Sequence, residues 1–140
     1  MYDAYELALR LLRHRDYAAR ELARRLAERG IAEESVTSAL ERLRAAGLVD
    51  DARYARARAR SLAERGAGDA LIRHDLERAG VSAEDAGGAL ASIPAEVERA
   101  SAIVRRRGDG PRTARYLRAK GFDAEVVAGL VAGGRETELG

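Results

Sequence analysis

The sequence predicts an all-α protein made of three tandem three-helix repeats, stacked into an elongated, curved array. Three observations carry that prediction. Apolar residues recur at three- and four-residue spacings along nearly all of the 140 residues, the pattern of amphipathic helices. Only two prolines, Pro94 and Pro111, interrupt it. One short phrase also returns three times, as LAERGI from Leu26 to Ile31, LERAGV from Leu76 to Val81 and LRAKGF from Leu117 to Phe122. In each copy a helix ends at a glycine able to take the left-handed conformation of a C-terminal cap, and the next apolar residue leads into another helix.

The elements follow in order. Helices are expected over 3–14, 17–29 and 33–46, then over 51–65, 69–79 and 83–92, and then over 95–107, 111–120 and 124–132. Leu12 and Leu62 lie eighteen residues before their glycines and Val104 seventeen, which sets the first helices in step. Leu22 and Ile72 do the same for the second helices, and Leu40, Leu90 and Val131, each ten residues after its glycine, for the third. Ile31 with Val36, Val81 with Ala86 and Phe122 with Val127 have the spacing of a hydrophobic staple. Ser82, with an acid three residues on, and Asp123 are good N-caps. Gly47 closes the third helix, Leu48 and Val49 bury the crossing, and Asp50 caps the fourth helix. Asp51 sits in that helix's first turn, where a negative charge suits the dipole. Gly66 and Gly68, then Gly108, Gly110 and Pro111, punctuate later joints, and proline is well tolerated at a helix start.

The units are 1–48, 49–93 and 94–134, followed by a tail over 135–140. Some forty residues bury too little apolar surface to stand alone, so neighbours must stack, leaving large exposed faces. Shapes of that kind bind macromolecules.

Composition excludes much chemistry. Aromatics are 4% and the hydrophobic 46% leans on alanine, which leaves little large apolar volume to hollow out around a small ligand. The absence of Cys removes thiolate nucleophiles, disulfides and cysteine-built metal sites. His14 and His74 have no third histidine to join them, so no metal site is expected. Gly66-Ala67-Gly68 is too short for a dinucleotide loop and lacks a preceding strand. No nucleophile–base pair is visible, so neither enzyme activity nor a cofactor is expected. Arg10, Arg13 and Arg15 interrupt the early leucines before a signal peptide could develop, and no segment approaches membrane-spanning length. A cytoplasmic monomer is the expectation.

Net charge is only +2, but from Arg99 to Lys120 there are eight basic residues against one acid, Asp109. That asymmetry points to an anionic partner near the C-terminal third. Within GLVDDARYARARAR, residues 47–60, Ala52, Ala55, Ala59, Leu62 and Ala63 form an inward arc. Arg53, Arg56 and Arg60 run down one flank, and Tyr54 and Arg58 emerge on the other. The flanking arginines either lie over the core or meet an anionic surface. Arg105, Arg106 and Arg107 end a helix, where cations suit the dipole. Arg112, Arg115 and Arg118 make a second stripe, with Tyr116 interleaved and Lys120 beyond it. Arginine beside an aromatic suits phosphate contact and base stacking, although Tyr116 serves equally well as half-buried core. Tyr2, Tyr5, Tyr17 and Tyr54 are read as core volume.

These residues together resemble the RecX family, bacterial regulators of the recombinase RecA. The likeness rests on Ala8 to Leu12, Arg15-Asp16-Tyr17, Glu21-Leu22, Leu26, Gly30, Leu40 and Leu43, and above all on GLVDDARYA from Gly47 to Ala55. It continues through Arg65 to Gly68, Ile72, Leu76 and Gly80-Val81. The resemblance implies a non-enzymatic modulator that lodges in the groove of the RecA–DNA filament and damps ATP hydrolysis, strand exchange and co-protease activity, with DNA affinity as a secondary property. The alternative from the residues alone is a protein that binds single- or double-stranded DNA directly through helical, arginine-rich surfaces. Departures from relatives include Ala18 where a serine N-cap is frequent. Unless Asp16 substitutes for that cap, the helix start loses about 1 kcal/mol. Ala67 and Asp69 stand where relatives tend to have an aromatic and a proline, and the third unit lacks their aromatic-rich opening.

Overall fold

The computed structural model describes residues 3–131, and among them are nine α-helices and no β-strand. The first triplet is α1 (Ala4–Leu12), α2 (Ala19–Glu28) and α3 (Glu33–Ala45). The second is α4 (Asp51–Glu64), α5 (Asp69–Arg78) and α6 (Ala83–Ala91), and the third is α7 (Glu96–Arg107), α8 (Pro111–Ala119) and α9 (Ala124–Leu130). Tyr2, the end of the helix expected over 124–132 and the tail over 135–140 lie outside the described residues.

The recurring phrase folds the same way each time. Gly30, Gly80 and Gly121 have φ of 82°, 89° and 89°. That turn lets the next amide reach back five residues: Ile31 N donates to Leu26 O, Val81 N to Leu76 O and Phe122 N to Leu117 O, at 3.3, 3.0 and 3.0 Å. These are the bonds of a Schellman cap, and they satisfy carbonyls that a helix end otherwise leaves open. The N-caps form as the sequence predicts. Asp50 accepts from Arg53 N, Ser82 from Asp85 N, and Asp123 from both Glu125 N and Val126 N.

Helix limits depart from expectation by at most two residues at each end, most clearly around 13–18. There α1 stops at Leu12 and α2 starts at Ala19, because Tyr17 and Ala18 leave the helix to be buried. The Tyr17 ring enters the first core and the Ala18 methyl the second.

Each triplet closes around its own core, its third helix packed on the first two. Leu22, Leu26 and Leu43 are fully buried in the first, Ile72 and Leu76 in the second, Leu117 and Val127 in the third, each contributing about 1.5–3 kcal/mol. The second core is lined by Ala55 and Ala59 of α4 facing Ala86 and Ala89 of α6, and these small side chains give the most extensive pair among the described helices. No two helices from different triplets pack to a comparable extent. The triplets meet instead through corners and helix starts.

Candidate interaction surface

Two joints set the geometry of the array, and they share a plan. At the first, the Asp51 carboxylate, on the opening residue of α4, accepts from the Ala19 amide that opens α2, at 2.8 Å. The Gly80 corner sits against α2 so closely that a Cβ there would lie 2.6 Å from Arg20 Cβ. At the second, Glu96 opens α7 and accepts from the Asp69 amide that opens α5, at 2.6 Å. The Gly121 corner presses on Leu71 in the same manner, with 2.8 Å to its Cβ. Ala18 makes no side-chain cap bond. Asp16 does not replace it, because the Asp16 carboxylate faces Arg53 at 3.8 Å. The cap for α2 therefore comes from the next triplet.

The arginines named from sequence divide into two groups. Arg53 is half-buried and folds onto its own corner, donating to Gly47 O at 2.8 Å and Leu48 O at 3.4 Å. Arg107 lies over the Tyr116 ring at 3.7 Å, and Lys120 approaches the same ring at 6.0 Å. Tyr116 is half-buried against the third core, so one face of its ring is occupied by Arg107 and core packing takes much of the rest. Arg56 and Arg60 on α4, Arg105 and Arg106 on α7, and Arg112, Arg115 and Arg118 on α8 are all exposed. Among the described residues none of these seven has an ion pair or hydrogen bond from its side chain. Exposed guanidinium groups on α8 and at the end of α7 give the third triplet a surface that phosphate or carboxylate could pair with.

Between the first two triplets lies a groove of about 750 Å³ lined by Arg15, Glu21, Tyr54, Arg58, His74 and Asp75 among others. Its charges are largely paired. Arg15 meets Glu21 at 2.6 Å, and Arg58 holds Asp75 by two parallel bonds of 2.9 Å. The hydrogen bonds from Arg58 hold the Asp75 carboxyl below its ordinary range, and burial, then the Glu21 charge, pushes the Tyr54 hydroxyl up. Among the described residues no set of three metal-ligating side chains converges, and no helix is long and apolar enough to cross a membrane.

Two family models match the chain, described as the first three-helix domain of RecX over residues 4–43 and the second over 50–90. The chain belongs to the RecX family. The protein named Regulatory protein RecX from Acidithiobacillus ferrooxidans is 37% identical, the match covering 98% of this chain and 94% of that one. The one from Chromohalobacter salexigens is 38% identical, over 89% and 88%. A crystal structure of regulatory protein RecX superposes with a TM-score of 0.76 at 26% identity, over 91% of this chain and 70% of that chain. RecX from Lactobacillus salivarius shares the fold, with a TM-score of 0.78 at 21% identity and coverage of 97% and 95%. RecX relatives are named as regulatory proteins, and a regulatory role is what membership supports.

Sequence reasoning missed the groups that join the triplets, namely Asp69, Glu96 and Arg99, and the Arg58–Asp75 pair. It read Asp51 only as a partner of its own helix dipole. A signal was present: Asp51 and Glu96 occupy the same place in successive units, at the first residue of the first helix.

Proposed function

We propose that this chain is a negative modulator of the RecA recombinase, a cytoplasmic monomer that lodges in the groove of the RecA–DNA filament and damps ATP hydrolysis, strand exchange and co-protease activity. The observation that carries this reading is the match of both RecX three-helix models to successive triplets. The surface chemistry supports it. A row of triplets joined by corners offers a long face, and the exposed Arg56, Arg60, Arg105, Arg106, Arg112, Arg115 and Arg118 suit an anionic, repetitive partner. The three units, 1–48, 49–93 and 94–134, act together, the third carrying the most positive net charge.

The test is to titrate the protein into RecA on single-stranded DNA while following ATP hydrolysis and strand exchange. Inhibition near stoichiometric amounts is expected, and no effect there overturns the reading. Direct action on DNA is the second reading, favoured by the exposed Arg112, Arg115 and Arg118 stripe. Tight binding to bare oligonucleotides with a steep salt slope, unchanged by RecA, would replace the first reading by the second.

A further inference from the structure

The two joints differ in what holds them. At the first, Ala18 is carried with no exposed surface into the core of the second triplet, so parting the first two triplets opens an apolar core. At the second, neither buried cluster takes a residue from the other triplet. Beyond the contact of Leu71 with the Gly121 corner, its bonds are polar. Three consecutive amides at the start of α5 donate to third-triplet acceptors: Gly68 N to Lys120 O at 2.7 Å, Asp69 N to Glu96 Oε2 at 2.6 Å, and Ala70 N to Gly121 O at 3.2 Å. The other Glu96 oxygen accepts from Asp123 N at 3.2 Å. One turn along α7, the Arg99 side chain is 9% exposed and reaches back to Ala67 O at 3.1 Å and to the Asp69 carboxylate at 3.0 Å. Its other terminal nitrogen holds Pro94 O, in the connection between α6 and α7, at 2.9 Å.

Water can replace every one of those partners once the joint opens, whereas exposed apolar surface finds no such compensation. The closed state is also imperfectly satisfied. Among the described residues, the buried Arg99 Nε finds no hydrogen-bond partner, and Asp69 Oδ1, although close to the guanidinium, makes no hydrogen bond. A desolvated ion pair with unfilled bonding positions adds little net stability and specifies an arrangement more than it strengthens one.

We propose that the joint between the second and third triplets is a latch. Glu96 and Arg99 hold the third triplet closed on the start of α5. Their release lets it swing about the connection at 92–95 as a rigid arm, its own core around Leu117, Val127 and Val131 intact. The arm carries the exposed Arg105, Arg106, Arg112, Arg115 and Arg118, so the latch sets the angle at which that basic face meets a partner. This consequence rests on the function proposed above; the latch itself does not.

Hydrogen exchange on the full chain tests it. Amides in the first turn of a helix have no partner within that helix, so protection of Asp69 and Ala70 reports closure of the joint. In the wild type these two are expected to exchange at least ten-fold faster than Leu76 and Leu117, deep in the two cores. Arg99→Met and Glu96→Gln should each speed them a further ten-fold or more, leaving Leu76, Leu117 and, at the first joint, Ala19 unchanged. Glu96→Gln keeps the side-chain shape and decides the matter if Arg99→Met unfolds. Exchange of Asp69 and Ala70 in step with both cores in that variant would show that the joint opens only on unfolding, and would overturn the latch. Because the chain has no cysteine, Glu77→Cys with Glu125→Cys gives two unique spin-label sites on the exposed faces of α5 and α9. The distance distribution between them should broaden in Glu96→Gln; a narrow, unchanged one overturns the proposal whatever the RecA assays show.

Discussion

The Asp51 carboxylate caps α2 from across a repeat boundary, taking the Ala19 amide at 2.8 Å, and the Glu96 carboxylate does the same for Asp69 at 2.6 Å. Each acid opens the first helix of its triplet and serves the second helix of the triplet before it. A cap supplied in this way couples neighbours as well as finishing a helix. Asp51→Ala should therefore lower unfolding stability by about 1 kcal/mol, or roughly 3 °C in thermal midpoint for a chain of this size, measured by circular dichroism. Asp51→Asn keeps an acceptor oxygen and should lose less than half of that. Were Asp51 acting only on its own helix dipole, asparagine and alanine would cost the same.

Glycines at joints and in helices should respond to alanine with opposite signs. Gly68 has an ordinary φ of −83°, so its requirement is space: a Cβ would lie 2.4 Å from both Gly121 C and Phe122 N. Backbone cannot yield there as a side-chain tip would, and Gly68→Ala should cost about 2 kcal/mol by overpacking. Gly88 lies within α6, exposed, with nothing within 4 Å of its Cβ position. Gly88→Ala should gain about 1 kcal/mol through helix propensity. Urea denaturation of the two variants reads both signs.

Local rules account for what was legible before the fold was known. The corners at Gly30, Gly80 and Gly121, and the caps at Asp50, Ser82 and Asp123, depend on residues a few positions apart, so sequence spacing alone located them. The joints depend on pairs such as Asp51 with Ala19 and Arg99 with Asp69, some thirty residues apart, and no periodicity reports those. Arg53 shows the same limit. Projection placed it on a flank with Arg56 and Arg60, yet its guanidinium turns back to Gly47 O, a carbonyl free only because the chain turns at Gly47. Arg58, set on the opposite flank, found a carboxylate on α5. The charge asymmetry of the third triplet was visible; which of its arginines remain unpaired was not.

The Arg58–Asp75 pair gives a pH dependence of known sign. Arg58 donates to both oxygens of Asp75 and holds its pKa below the ordinary value. A folded-state pKa that is depressed contributes stability fully present above the unfolded value, near 3.9, and lost as pH falls through the lower folded value. Wild-type stability should thus decline on acidification below about pH 4 more steeply than that of Asp75→Asn. At neutral pH the variant should be the weaker by about 0.5–1 kcal/mol, since the pair is partly solvated. Denaturant titrations at a series of pH values compare the two slopes; parallel curves would mean that Asp75 is not held by Arg58 in solution.

The α8 stripe offers the most direct reading of the surface. Thr113, Ala114 and Leu117 form the buried face of α8, while Arg112, Arg115 and Arg118 point away from it without partners among the described residues. Replacing all three with alanine leaves the buried face untouched and favours the helix, so the circular dichroism spectrum should be unchanged. Arg107 is kept, because its stacking on Tyr116 is structural. If the stripe meets phosphates, each lost contact removes about one unit from the slope of log affinity against log salt, roughly three in all. Oligonucleotide anisotropy and co-sedimentation with RecA filaments across a salt series measure that slope on each partner. A shallower slope with both partners places the anion contact on α8. An unchanged slope with both moves it to Arg56 and Arg60 on α4, where the same substitutions should then have the effect that α8 lacked.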